Sequence, residues 1–387
     1  MHLIVKMTDA CNFACQYCSV GDPKQTSRIE LSYIKKFIDG CQELLEYKKD
    51  DWLTVLWHGG EPLMIGTDVY TELHEYILKK LPNTKIKFNI QTNGSLINAQ
   101  WIDFFEKYGI CPGISLDGYK ELHDANRVDK EGKQTFDTVM KNIALLRSRG
   151  IEPGILMVLN THENIDVDKL YDFLVDNKFN TKIHAVFPAG KASGRHDLDM
   201  LFKKYVDILI ALFKKAMRDN KLYLIDPVYS LFSSIINDRS MTECSYSGNC
   251  GRDFICLYED GNVSFCGRND STQALLYGNI KDKTPLDLYL SEQGQRLRGR
   301  VEAVKERGCG NCKYFKLCHG GCPFEALLHT DEIESKYVHC AEWKRLLAFM
   351  YNEGLDFFRE QLLMRKSKIK MDISEKEEIL KEYINNV

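Results

Sequence analysis

Three cysteines stand on one short stretch, Cys11-Asn-Phe-Ala-Cys15-Gln-Tyr-Cys18, in the pattern C-x3-C-x2-C. Three thiolates so close together can hold three irons of a [4Fe–4S] cluster and leave the fourth iron open to a small chelating ligand. A zinc site short of one ligand, or three structural cysteines, would use the same residues. Zinc sites more often show paired C-x2-C units or histidine partners, which favours iron. Eight further cysteines run Cys244-x5-Cys250-x15-Cys266, then Cys309-x2-Cys312-x5-Cys318-x3-Cys322-x17-Cys340. Eight thiolates suffice for two fully ligated four-iron clusters. A pair of zinc-ribbon sites is the competing reading, although C-x2-C-x5-C-x3-C is denser than most zinc spacing. Cys41, Cys111 and Cys256 are left over and read as buried small hydrophobes.

The elements that must position these groups emerge from periodicity. Residues 2–8 read as a buried strand that begins almost at once. Helical spacing over 32–47 comes next, despite Gly40, and the apolar run 53–57 ends at Gly59-Gly60 as strand and turn. Helices fit 68–80, 98–108, 134–149 and 166–176, between strands at 85–91, 112–116, 152–159 and 180–186. Strands alternating with helices predict an α/β fold with a parallel sheet. Six such units form a partial (β/α)6 TIM-like barrel with ligands at the C-terminal strand ends. Beyond it, 198–238 reads as helical and 254–266 as a hairpin turning at Asp260-Gly261-Asn262. Residues 305–340 read as irregular, 341–363 as one helix and the charged tail 365–387 as helical. The organisation expected is a barrel over 1–190, a helical bridge over 191–240, a small Cys-rich domain over 241–345 and a helical extension over 346–387.

Composition sets the broad class. The chain has 387 residues, 44% hydrophobic and 28% charged, which is ordinary globular chemistry. With 52 Lys+Arg against 55 Asp+Glu the net charge is −3, which argues against a nucleic-acid partner. No run of 18 apolar residues predicts a membrane span, and the N-terminus does not read as a signal peptide. A cytoplasmic location is expected, where 14 cysteines serve better as metal ligands than as cross-links.

The first cysteine stretch, with the aromatic Tyr17, resembles the signature of the radical S-adenosylmethionine enzymes. Further marks come in the family's order: Gly59-Gly60-Glu61-Pro62, Gln91-Thr92-Asn93-Gly94, Ser115-Leu-Asp117-Gly118, then His123-Asp124 and Arg127. The resemblance covers about residues 1–190. It implies that Cys11, Cys15 and Cys18 hold a [4Fe–4S] cluster whose open iron chelates S-adenosylmethionine. It also implies that Tyr17, Gly59, Gly60, Glu61, Pro62, Ser115, Asp117 and Arg127 bind that cofactor. Glu61 is suited to hold its amino group by a charge-assisted hydrogen bond. Reductive cleavage would then give a 5′-deoxyadenosyl radical, with a flavodoxin- or ferredoxin-type protein as reductant.

The later cysteines resemble the SPASM extension of radical enzymes that modify peptides and proteins. Carried over from anaerobic sulfatase-maturating enzymes, one auxiliary [4Fe–4S] cluster takes Cys244, Cys250, Cys266 and Cys322. The other takes Cys309, Cys312, Cys318 and Cys340. The implied partner is a peptide or protein substrate, and the implied reaction a two-electron oxidation. In the sulfatase maturases an Asp directly after the third cysteine of the first auxiliary set looks like the base. Here that position is Gly267, with Asp270 three residues on. The departure favours a cross-linking peptide maturase over a formylglycine-forming enzyme. A small-molecule dehydrogenase and a non-catalytic iron–sulfur electron carrier are the other readings. Only ten residues precede Cys11, so a fused leader-binding domain is not expected.

Overall fold

A computed structural model describes residues 1–21, 27–160, 164–195, 197–241, 243–268 and 275–368. Its strands, in chain order, are β1 (His2–Lys6), β2 (Trp52–His58), β3 (Lys85–Thr92), β4 (Gly113–Ser115), β5 (Gly154–Leu159), β6 (Thr181–Ala185), β7 (Ile225–Asp226), β8 (Phe254–Leu257), β9 (Asn262–Ser264) and β10 (Gly278–Asn279). The chain divides into two compact units. One comprises Met1–Leu156, Val186–Arg195 and Asn249–Arg300. The other comprises the described residues of Met157–Ala185, His196–Gly248 and Val301–Val387.

In the first unit β1, β2, β3, β4 and the Gly154–Leu156 start of β5 pair in parallel, in that order. Helices Thr67–Lys80, Ala99–Tyr108 and Phe136–Ser148 make the crossovers. This is the strand–helix alternation of a partial TIM-like barrel, the α/β class expected. On the other side of β1 lies β8, also parallel, and β8 pairs antiparallel with β9, so the 254–266 hairpin extends the same sheet.

Register decides which face is core. Val5, Trp57 and Ile90 lie in one row across β1, β2 and β3, and all are buried. Tyr70 from the first crossover helix meets Trp57 edge-on at 5.2 Å. The alternate row, Ile4, Leu56 and Asn89, is half-buried. Because side chains alternate along a strand, one face of the sheet is sealed by helices and the other is only partly covered.

The second unit is largely helical, with Leu198–Arg218, Val228–Ile236, Pro323–Thr330 and Cys340–Phe349, while β6 pairs in parallel with β7.

Several expectations are corrected. The 32–47 helix is two, Leu31–Asp39 and Cys41–Lys48, broken at Gly40. A Cβ there would lie 2.5 Å from the Pro285 ring, so the close approach requires glycine, and glycine weakens the helix. The 198–238 stretch is interrupted: Asn220 takes a left-handed conformation after the first helix, and β7 precedes the second. The 305–340 stretch holds short helices, Phe315–Cys318 and Pro323–Thr330. The expected helix 341–363 turns through a π segment at Met350–Gly354 and continues to Lys368. A further helix, Lys120–Asn126, lies where the sequence pattern marks only a strand end and loop. The tail beyond 368 lies outside the described residues.

Candidate active site: a thiol loop at the C-terminal strand ends

The singled-out residues of the first unit converge at the C-terminal ends of β1 to β4. The cysteine loop leaves β1 and lies along residues 126–129. Ala14 N donates to Val128 O at 2.8 Å, Gln16 N to Asn126 O at 3.0 Å, and Phe13 bridges Asp129 antiparallel. After β2 the chain turns at Gly59-Gly60. Gly60 N donates to Thr8 O at 2.7 Å and Glu61 N to Ala10 O at 2.8 Å. A Cβ at Gly60 would lie 2.2 Å from Ala10 O, and Gly59, at φ +135°, would meet Thr8 O at 2.3 Å. Two glycines are therefore needed for this turn to lie against the approach to Cys11.

Glu61 is fully buried, and its carboxylate serves the protein itself. Oε1 accepts from Leu63 N at 2.9 Å and from Thr92 Oγ1 at 2.7 Å, and Oε2 accepts from Asn93 N at 2.8 Å. Burial pushes the carboxyl up to about 7, against the pull of those three donors. Pro62 opens a short 3₁₀ turn, and its carbonyl accepts from Tyr70 OH at 3.0 Å. Asn93 Nδ2 donates to Asn12 Oδ1 at 2.8 Å and lies 3.8 Å from Cys11 Sγ.

On the other side of the loop, Tyr17 OH and Arg127 Nε both donate to Asp117 Oδ2, the second at 2.9 Å. The Arg127 guanidinium stands 5.4 Å from the centre of the Tyr17 ring, and its Nη1 lies 3.8 Å from Cys15 Sγ. His123 fixes the Asp117 turn: Asp117 N donates to its Nδ1 at 3.2 Å, so the ring proton sits on Nε2 and is donated to Thr135 Oγ1 at 3.1 Å. Burial lowers His123 to about 4, which keeps the ring neutral in that role. Ser115 Oγ accepts from Gln91 Nε2 at 3.1 Å.

The donor set suits a cationic cluster. Burial pushes the Cys11 thiol up to about 12, and it raises Cys15 despite the Arg127 guanidinium beside it, so both favour the neutral thiol at neutral pH unless more positive charge is brought to them. A metal centre supplies that charge and takes thiolates as ligands. Among the described residues, no three His, Cys, Asp or Glu side chains are grouped for a single ion. In a four-iron cluster each thiolate takes its own iron, so its ligands stand wider apart than those around one ion.

Residues 5–174 match the Radical SAM superfamily. They are a radical SAM domain. The chain is 29% identical over 330 residues to the cysteine-type anaerobic sulfatase-maturating enzyme of Clostridium novyi, covering 83% of this chain and 87% of that protein. It is 25% identical over 361 residues to the serine-type enzyme of Bacteroides thetaiotaomicron, covering 86% and 85%. In fold it resembles native anSMEcpe with bound AdoMet and Kp18Cys peptide: TM-score 0.79, 22% identity, 93% of this chain and 99% of that one. Streptococcus suis SuiB bound to precursor peptide SuiA is similar at TM-score 0.60 and 18% identity over 88% and 75%. A radical SAM enzyme uses S-adenosylmethionine and a [4Fe–4S] cluster, the chemistry for which the radical SAM domain's thiol loop is suited.

The later cysteines divide between the units. In the second, Cys309, Cys312, Cys318 and Cys340 form one electrostatic neighbourhood. Burial first, and then the charges of the other three, push the Cys318 thiol up to about 11, against the pull of the Gly320 backbone N–H. Cys244 and Cys322 lie in that unit too, whereas Cys250 and Cys266 lie in the unit of the radical SAM domain's thiol loop. Cys250 and Cys266 both bear on the buried Tyr277 phenol there. Gly267 packs against β1, where a Cβ would lie 3.2 Å from Ile4 Cγ2 and 3.5 Å from Lys6 Cε. Asp270 lies outside the described residues. Cys41 and Cys256 are buried as expected, but Cys111 is exposed. Ile110 takes the buried position before β4, and the next residue faces outward.

The sequence reading missed the partners of Glu61. Thr92 and Asn93 lie 31 and 32 residues further along, and no spacing rule joins a turn after one strand to the end of the next.

Proposed function

We propose that this radical SAM enzyme oxidises a residue of a peptide or protein by two electrons and leaves an internal cross-link. Cys11, Cys15 and Cys18 hold the first cluster, and Tyr17, Gly59, Gly60, Glu61, Pro62, Ser115, Asp117 and Arg127 form the setting for S-adenosylmethionine. When bound, these groups supply a 5′-deoxyadenosyl radical that removes a hydrogen atom from the substrate. The helix-covered face of the sheet keeps water from behind the site, and its half-buried face offers the side from which a peptide can approach. Cys309, Cys312, Cys318 and Cys340, all within the second unit, hold an acceptor for the second electron. A flavodoxin- or ferredoxin-type reductant and a reducing cytoplasm fit such a cluster content.

The likeness to sulfatase maturases along nearly their whole length supports a peptide or protein substrate. The observation that carries the cross-link is Gly267, which offers no base beside the third cysteine of its set. Formylglycine formation is the second reading, favoured by the cysteine-type relatives. Anaerobic turnover of a Cys- or aromatic-rich precursor peptide and of a sulfatase-derived Cys peptide separates them. The expected product is the precursor about 2 Da lighter, unreactive to hydrazide and joined internally by tandem mass spectrometry. Efficient hydrazide-reactive aldehyde on the sulfatase peptide would overturn the preference.

A further inference from the structure

Two of the three thiols in the loop carry a side-chain N–H donor, and each donor is aimed by a fully buried carboxylate. Asn93 Nδ2 lies 3.8 Å from Cys11 Sγ. Its backbone N is held by Glu61 Oε2 at 2.8 Å, and its amide oxygen accepts from Ser95 N at 2.9 Å and Ser95 Oγ at 2.7 Å. The amide cannot turn over without losing those bonds, so the NH₂ end stays toward the loop. Arg127 Nη1 lies 3.8 Å from Cys15 Sγ, and its Nε donates to Asp117 Oδ2 at 2.9 Å. Glu61 and Asp117 are both 0% exposed, and each ties a strand-end turn to the donor it orients.

We infer that Asn93 and Arg127 set the reduction potential of the cluster on Cys11, Cys15 and Cys18, with Glu61 and Asp117 as positioning residues behind them. The inference rests on those three cysteines being the ligands. An N–H donated to a ligating sulfur draws off charge and favours the reduced, more negative cluster, which raises its potential. A cationic donor does this more strongly than a neutral amide. The Cys15 side is therefore the electron-poor side. The potential is tied to two separate turns, one after β3 and one after β4, so a shift in either is felt at the irons. Outer partners of metal ligands commonly act in this way.

The test is a reductive titration of the anaerobically reconstituted full chain, monitored by electron paramagnetic resonance. The first cluster is identified as the signal that changes when S-adenosylmethionine is added, since only a cluster with an open iron responds. Asn93→Leu, close to asparagine in shape, removes the N–H donors without adding charge, whereas Asn93→Asp keeps the oxygen that accepts from Ser95 but replaces those donors with a negatively charged oxygen. Asn93→Leu is expected to lower the midpoint potential of that signal. Arg127→Met is expected to lower it further, and Glu61→Gln, which loosens the Asn93 turn but also removes negative charge near Cys11, to shift it less than either. Asn93→Gln, which keeps an amide donor, is expected to recover part of the shift. Unchanged potentials in both Asn93→Leu and Arg127→Met would overturn the inference. So would loss of the first cluster's iron in Asn93→Leu with the fold retained by circular dichroism, since Asn93 would then hold the cluster rather than tune it. Absence of any responsive signal in the unsubstituted protein would overturn the ligand assignment itself.

Discussion

Asp117 and Arg127 form an ion pair at 2.9 Å whose side chains are 0% and 8% exposed. A pair so enclosed does little for net stability as a pair, because desolvation offsets most of the attraction. Its importance shows when one member is lost and the other stays buried. Asp117 Oδ2 also accepts from Tyr17 OH, so the carboxylate anchors the aromatic of the cysteine loop as well as the guanidinium.

Asp117→Asn should therefore leave Arg127 buried without a counter-charge and cost about 3–5 kcal/mol. Arg127→Met should cost a comparable amount by stranding the carboxylate. The double variant is expected to lose markedly less than the sum of the two. Urea unfolding of the four proteins checks this, and strict additivity would show that the pair is not coupled.

Glu61 gives a pH dependence of defined sign. Its ordinary value of 4.5 is raised to about 7 by burial, so the folded chain binds this proton more tightly than the unfolded chain. The stabilising contribution is full below pH 4.5 and is lost as pH rises through about 7. Its span is about 3 kcal/mol. Glu61→Gln has no such proton. The stability of the unsubstituted apo-protein minus that of Glu61→Gln should fall by roughly this amount between pH 4.5 and pH 8. Unfolding curves at several pH values measure it, and a flat difference would mean the carboxyl titrates normally in the fold.

Much of this architecture is legible in the sequence, because its signals are local. The periods of Val5, Trp57 and Ile90 mark one face of successive strands, and C-x3-C-x2-C keeps three thiols on a single loop whatever surrounds it. What could not be read depends on partners far away along the chain. The helix breaks at Gly40, where the Pro285 ring leaves no room for a Cβ. β8 joins β1 from about 250 residues away. The carboxylate of Glu61 is suited by charge to an amino group, yet backbone N–H groups and a hydroxyl of the protein occupy it. A spacing rule sees residue types but not the donors that folding brings to them.

Replacing Cys11, Cys15 and Cys18 together by Ala should remove about a third of some twelve irons per chain and all release of 5′-deoxyadenosine. Cys318→Ala should spare part of that release and abolish product if, as proposed, its set acts at the second electron rather than the first. Iron analysis and chromatography of anaerobic reactions decide both points. Release of 5′-deoxyadenosine by the triple variant would show that the cofactor is cleaved elsewhere.

Gly267 admits a direct trial of the missing base. Its backbone is not in the left-handed region, and a Cβ there would meet Ile4 Cγ2 at 3.2 Å and Lys6 Cε at 3.5 Å. Ile4 lies on the half-buried face of the sheet and can yield the few tenths of an ångström required. Gly267→Asp should thus fold at a cost of about 1 kcal/mol or less, which thermal unfolding measures. The new carboxylate would stand beside the Lys6 side chain, whose charge would lower its basicity, so only part of a general base's usual effect is expected. On a sulfatase-derived Cys peptide, Gly267→Asp should raise hydrazide-reactive product by at least about tenfold over the unsubstituted protein. If the unsubstituted protein already forms aldehyde efficiently and Gly267→Asp changes the rate little, some other group serves as the base. The chain would then be a formylglycine-forming enzyme that does not need a carboxylate at this position.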